Sequence, residues 1–465
     1  MKGRKWLALL TAGVVAVGML SGCGSSSSSD SSSSSDSDET EETAEAADEE
    51  EADEAAEEEA SSGTVEDTGI SLRLVNGKIE IDSQLKELAE MYYAETGITI
   101  EIESLGGGVD IQGTLKGYYQ AGNMPDIFVN NGTDFDNWTG MLVDMSDQEW
   151  ASYTDAAYTD DSGAVLGFPY TVEAIGFTYN ADILEAAGVD PSTLTSPDAY
   201  AEAFETIDAM KDELGLDAVV GYYAEPVNLY WSTGNHLFAN YLDSGLERSD
   251  STYLDLLNDG GQLDEERFTN FAEFVYLIQQ YSDQTMMISG TYDQQILNFA
   301  SGKYAFVTQG SWIGATMTSD DADAYAEAGN FEVGMAPFAF EDGIDTILTA
   351  PPSFWSVYAD GDYVDESLAF LQWCSEAEAQ EVLVMDCGFI SPFTNIDTVA
   401  DDPFAAVVME YQNEGKTSEW HWSYMAEGLA QNATGQVFAD FAQGMLDVDS
   451  FVSTMQQVIA AYYSS

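Results

Sequence analysis

Gln309-Gly310-Ser311-Trp312 closes a short apolar run, Tyr304 to Thr308, with two polar groups, a flexible residue and a large ring. A β-favouring run of that length reads as a buried strand. In open α/β sheets ligands settle at the carboxyl ends of such strands. Trp231, Trp420 and Trp422 stand on candidate loops, while Asn131, Asp134, Glu225 and Ser353 place amides, carboxylates and a hydroxyl at strand ends. Asn76, where the first strand turns, and Tyr170 complete the binding candidates. Flat rings beside a few fixed donors and acceptors suit a molecule with an apolar C–H face and a rim of hydroxyls. The competing reading of each ring is core packing. Trp138 and Tyr170 fit either reading, and Glu173 is expected in a hinge or structural role.

Covalent chemistry finds little support. His236 and His421 are the only histidines, which excludes a His-rich metal site or a Ser-His triad. Asp134-Phe135-Asp136 begins like a calcium loop, but its glycine and twelfth-position acid are misplaced. No Gly-x-Ser-x-Gly turn stands between a strand and a helix. With 84 acidic residues, some carboxylate pair at glycosidase spacing is inevitable, so the count carries no weight. The expectation is a binding protein with no enzyme activity, no cofactor and no metal.

The elements that must position these residues follow from length and pattern. At 465 residues the chain exceeds one ordinary core, so two lobes are expected. Only 12 basic residues oppose the acids, giving a net charge of −72. That balance argues against nucleic acid and against an acidic membrane surface as partners. It leaves a cationic ligand open. Of three cysteines, Cys374 and Cys387 could form a short-loop disulfide outside the cell or remain two buried thiols.

Met1 to Cys23 reads as a targeting segment: Lys2, Arg4 and Lys5, then an apolar stretch from Leu7 to Met19, then Leu20-Ser21-Gly22-Cys23. It resembles the lipobox of bacterial lipoproteins, which implies lipidation at Cys23 and attachment to the outer face of the cell membrane. The other apolar stretches are too short and interrupted to span a bilayer. Residues 24–69 are a serine run followed by an Asp/Glu/Ala run, which reads as a disordered, self-repelling tether.

From Ile70 the pattern alternates. Ile70 to Val75 is strand-like, Asp82 to Glu95 an amphipathic helix with Leu85, Leu88, Ala89 and Tyr92 inward and Gly97 as its stop, and Ile98 to Ile102 a second strand. A helix over Ile111 to Ala121 and a strand over Pro125 to Val129 complete a right-handed parallel α/β unit. Gly167 to Asn180 reads as a strand pair or one long bent strand. Ser196-Pro197 starts a helix running to Leu214. Tyr292 to Phe299 is a helix stopped at Gly302. Phe331 to Pro337 and Ala350 to Tyr358 are strand-like, Glu366 to Met385 is helical, and Phe404 to Tyr463 reads as almost wholly helical, broken near Gly415 and Asn432.

Taken in order, the Gly167–Asn180 segment, the Gly302-Lys303 turn leading to Gly310-Ser311-Trp312, and the Glu366–Glu381 helix behind the Phe354 strand resemble a known group. They are similar to the extracellular solute-binding proteins of bacterial ABC importers, in the carbohydrate (family 1, maltose-binding-like) group. The resemblance runs from Ile70 to the C-terminus. It implies an α/β, two-lobed periplasmic-binding-protein-like fold with a central cleft and hinge, binding a sugar or oligosaccharide without turnover. Lobe one is then 70–150 with 345–393, and lobe two 151–344 with 394–465. Glu225-Pro226 with Trp231 resembles the sugar-contacting segment of lobe two, and Trp420 or Trp422 resembles the late aromatic platform. The implied partners are membrane permease subunits with their ATPase, with the receptor itself a monomer. The chain departs from the group in its low lysine content and between Tyr222 and Asn235. A non-sugar, for example cationic, solute is the alternative.

Overall fold

The computed structural model describes residues 65–106, 109–160 and 162–464. The targeting segment, Cys23 and the tether lie outside the described residues. The chain begins with β1 (Ser71–Asn76), β2 (Thr99–Ser104) and β3 (Ile127–Asn130), in which β1 pairs parallel with both neighbours. Between β1 and β2 lies the helix Asp82–Thr96, which buries Leu85, Leu88, Ala89 and Tyr92. That spacing puts all four on one helical face, and each side chain of leucine size buried there contributes about 1.5–3 kcal/mol. Gly97 ends the helix at φ +70°, a conformation that a side chain would strain.

The segment from 158 to 180 feeds three sheets in succession. β4 (Tyr158–Thr159) and β5 (Val165–Pro169) join a six-stranded sheet of order β2-β1-β3-β12-β5-β4. β6 (Glu173–Ile175) leaves it for a three-stranded sheet, β13-β11-β6. β7 (Phe177–Asn180) enters a four-stranded sheet, β10-β7-β9-β8. The remaining strands are β8 (Ala218–Gly221), β9 (Tyr304–Val307), β10 (Val333–Ala336), β11 (Ile347–Ala350), β12 (Phe354–Val357) and β13 (Thr417–Glu419). The β11–β12 segment repeats the passage in reverse, from the three-stranded sheet into the six-stranded one. β5 pairs with β12, in the 345–393 segment that the resemblance assigns to lobe one, and β4 pairs with β5, although both lie beyond the boundary that the resemblance sets at residue 150.

The six-stranded sheet packs Leu72, Leu74, Ile127, Val129, Trp355 and Val357 into one core. The four-stranded sheet is covered on both faces, with Phe306 in one cluster and Tyr304 and Val307 in another. This is why β9 reads as a continuous apolar run. Cys374 and Cys387 are buried thiols and not a disulfide, which settles the open pairing. The helical pattern of the C-terminal region breaks at Gly415, where the sequence places a break, but the break holds a strand that the pattern does not predict. Gly415, at φ +69°, ends the helix Ala405–Asn413, and Thr417–Glu419 then pairs parallel with β11. A three-residue strand is stabilised by its tertiary neighbours and leaves no periodic trace.

Candidate functional site

The loop after β9 sets the first platform. Gln309 is fully buried, its amide donating to Gln295 Oε1 (2.8 Å) and Ser232 Oγ (3.0 Å). Its Oε1 accepts the Trp312 indole N–H at 3.1 Å, so Gln309 fixes the ring's orientation from beneath. Ser311 exchanges two hydrogen bonds with Ala174, its Oγ accepting from Ala174 N and its own N–H donating to Ala174 O, each at 2.9 Å. That locks the loop onto β6. Gly310 is required here: a Cβ would lie 2.2 Å from the Trp312 ring and 2.3 Å from Ala174 O. With these constraints Trp312 lies parallel to Trp420, centroids 5.9 Å apart and planes 7° apart.

The four tryptophans singled out by sequence converge. They surround one imidazole, that of His236, whose centroid is 4.7 Å from Trp420, 5.0 Å from Trp422, 5.2 Å from Trp312 and 5.3 Å from Trp231. Trp420 and Trp422 are buried. Burial, with a smaller contribution from the Lys78 charge, pushes the His236 pKa down to about 3, so the ring is neutral. His236 Nδ1, both indole nitrogens of Trp420 and Trp422, Ser423 Oγ and Asn76 Oδ1 are buried with no hydrogen-bond partner in the protein. Such atoms are uncommon, because an unmet buried polar group costs about 1–3 kcal/mol.

Around this cluster the strand ends supply charge. Lys78, just after β1, pairs with Glu173 of β6 at 2.6 Å, while the Asn76 amide donates to Lys78 O at 2.5 Å. Glu173 thus ties the β1 loop to the three-stranded sheet. Lys78, Glu173, Ser311, Trp312 and Asp402 line a recess of about 30 Å³. Burial raises the Asp402 pKa to about 7 against the pull of the Phe404 and Ala405 N–H groups. On the other side Trp420, Ser423, Tyr424, Thr349, Arg248 and Glu419 line a cavity of about 490 Å³, inside the range of about 300–1,000 Å³ usual for small-molecule sites. Arg248 pairs with Glu419 and donates to Thr349 Oγ1 at 2.7 Å. Behind the platforms, buried Asp243 accepts from both the backbone N–H of His421 (2.8 Å) and its Nδ1 (2.7 Å), pinning the residue between Trp420 and Trp422.

Other sequence candidates use their polar groups on the protein. Asp134 is buried and accepts from Gln112 Nε2 (3.1 Å), Asn131 N (3.1 Å) and Asn131 Nδ2 (2.9 Å), a reciprocal cap on the short helix Gly132–Trp138. Burial raises its pKa to about 6. Glu225 accepts from the N–H groups of Val227 (3.0 Å) and Asn228 (2.7 Å), capping the turn that leads to Trp231. Tyr170 and Ser353 share a buried hydroxyl–hydroxyl hydrogen bond, with Tyr170 stacked on Trp355 in the six-stranded sheet's core. Trp138 is likewise core, packed on Phe128. Sequence reasoning missed His236, Lys78, the Arg248–Glu419 pair and the Asp243–His421 pair. Only the scarcity of cations and histidines in so acidic a chain could have drawn attention to them.

Among the described residues no His/Cys/Asp/Glu group could hold a metal ion, and no helix is long and apolar enough to cross a membrane.

The model of the bacterial extracellular solute-binding protein family matches residues 87–408. The xylose/arabinose-binding protein XacG of Haloferax volcanii is 24% identical over 404 residues, covering 81% of this chain and 80% of that protein. A maltooligosaccharide ABC transporter solute-binding lipoprotein of Streptococcus pneumoniae is 22% identical over 347 residues, covering 71% and 75%. Among solved structures, a sugar transporter of Bacillus licheniformis in complex with stachyose superposes with a TM-score of 0.64 at 18% identity, covering 84% of this chain and all of that one (100%). At that identity the likeness is one of fold.

Proposed function

The chain belongs to the bacterial extracellular solute-binding protein family, and we propose that it captures a sugar or oligosaccharide and delivers it to the permease of an ABC importer. The observation that carries this reading is the convergence of Trp231, Trp312, Trp420 and Trp422, of which Trp420 lines a cavity of about 490 Å³, with unmet polar atoms among the rings. Indole faces take the C–H side of a sugar ring, and the unmet groups take hydroxyls. Binding occurs without turnover.

The two lobes are built on the six-stranded and four-stranded sheets, and β6, β11 and β13 are the crossing strands at which they hinge. On this division residues 151–170 go with lobe one, because β4 and β5 pair there. Of the sequence candidates, Asn76 and the four tryptophans are the ligand contacts. Gln309, Ser311, Asn131, Asp134 and Glu225 shape the loops that hold them. Cys23 carries the lipid that keeps a monomeric receptor at the outer face of the cell membrane, near a permease and its ATPase.

Titration of intrinsic tryptophan fluorescence with raffinose, stachyose, maltotriose and xylose tests the reading. A saturable change with at least one of them is expected, and flat traces for all would reject it. The chain's net charge of −72 and the indole cluster also favour a second reading, a cationic solute held by cation–π contact. That reading predicts a response to a quaternary ammonium probe that weakens steeply with salt.

A further inference from the structure

We infer that His236 is a specificity-determining contact: its imidazole, set among the four indoles, hydrogen-bonds a hydroxyl of the bound sugar. The inference rests on the sugar-receptor reading and names a residue within that site.

Three observations converge on it. First, the ring touches Trp231, Trp312, Trp420 and Trp422, so it belongs to the same aromatic cluster as the platforms. Second, its Nδ1 is buried with no partner in the protein, although phenylalanine would fill the same space among indoles with no nitrogen to satisfy. Third, the backbone is built to aim it there. Ser232–Leu237 is a π-helical turn, whose i→i+5 hydrogen-bonding brings residue 236 onto the same side as Trp231. An α-helix would rotate it away, since only residues three and four apart share an α-helical face. Single π turns of this kind recur at functional sites.

This turn is held in place by a second one, Ala430–Thr434, which follows the Trp420–Trp422 segment. Gly234 makes the close approach: a Cβ there would lie 2.6 Å from Thr434 Oγ1 and 2.9 Å from Ala430 Cβ. Thr434 Oγ1 also donates to Gly234 O at 3.3 Å. The two segments that carry the platforms and the imidazole are therefore fixed to each other.

The chemistry selects the ligand class. A neutral imidazole offers one donor and one acceptor, which matches a hydroxyl. Desolvation keeps it uncharged, and the nearby Lys78 adds to that, its own charge answered by Glu173. An ammonium ligand would find at most one acceptor nitrogen here and no negative charge on the ring.

The test uses the full receptor and calorimetric titration with raffinose, stachyose, maltotriose and xylose. For a sugar that binds the wild type, H236F should weaken affinity about 5- to 50-fold, the loss of one buried hydrogen bond to the ligand. H236Q, which keeps a donor and an acceptor, should recover most of it, and both variants should melt near the wild type. Monodeoxy analogues of that sugar should lose affinity for the wild type at one hydroxyl, and the same analogue should lose nothing further on H236F. Histidine nitrogen NMR spectroscopy of the wild type should show a neutral His236 whose resonances move on saturation. Equal affinity of H236F, or resonances unmoved by a sugar that binds, overturns the inference while leaving the receptor reading intact. If no sugar binds the wild type and a quaternary ammonium ion does, both fall together.

Discussion

Asp243→Ala should unfasten the two late platforms. Asp243 is 2% exposed, and its carboxylate accepts from His421 twice, at 2.8 Å from the main chain and 2.7 Å from the ring. Removing one partner of a buried pair costs about 3–5 kcal/mol, because the other group is left desolvated. The His421 side chain keeps 12% exposure, so water can meet part of its need, and we set the loss at the lower end, about 3 kcal/mol. Native stability is about 5–15 kcal/mol, so the urea midpoint should fall visibly. Trp420 and Trp422 flank His421, so the emission maximum should shift red and sugar affinity should drop with stability.

The same pair sets a pH dependence. Burial pushes the His421 imidazole toward neutrality, but Asp243 outweighs it and the pKa lies above the usual histidine value, with Glu419 adding to the rise and Arg248 opposing it. Burial raises the Asp243 carboxyl, and His421 and the more distant Arg267 draw it back. A raised folded pKa gives stability that is complete below the unfolded value and lost as pH rises through the folded one. Stability of the wild type should therefore decline above about pH 6.5, the unfolded histidine value, and the variant should lack that limb. An Asp243→Ala protein as stable as the wild type, or with the same limb, would refute the reasoning.

Asp402→Asn should remove a second slope. Its carboxyl ionises near pH 7 in the fold and near 3.8 when unfolded, so stability falls between those values, and the variant should gain about 4 kcal/mol at pH 8 in denaturant titrations. Trp312→Ala should weaken sugar binding about 10- to 100-fold by fluorescence titration, with Trp312→Phe intermediate, as the leading face is removed. Salt should stabilise the protein: with a net charge of −72, melting temperature should rise between about 0.1 and 1 M sodium chloride as repulsion is screened. An unchanged or lower melting point would mean that the acids are too well solvated to repel one another.

The sequence alone determined the local elements whose causes are local. Leu85, Leu88, Ala89 and Tyr92 recur at helical spacing, so their inward face was legible, as was the stop at Gly97. Ser196 capping a helix that Pro197 begins, and Gly302 closing the helix before β9, are likewise backbone chemistry that neighbouring residues impose. The four tryptophans could be named as candidate platforms, because ring type and loop position are properties of the chain. Their convergence could not, since it depends on Gln309 and Ser311 being fastened by Gln295, Ser232 and Ala174 from distant segments. Tertiary structure also decided which polar candidates face inward: Asp134 and Glu225 look like ligand groups in sequence but cap their own turns. It decided the strand β13, too short to leave a period, and the π turn that brings His236 beside Trp231 against α-helical phase. An interaction between residues far apart in the chain leaves no mark on the spacing of either, and only their meeting in space reveals it.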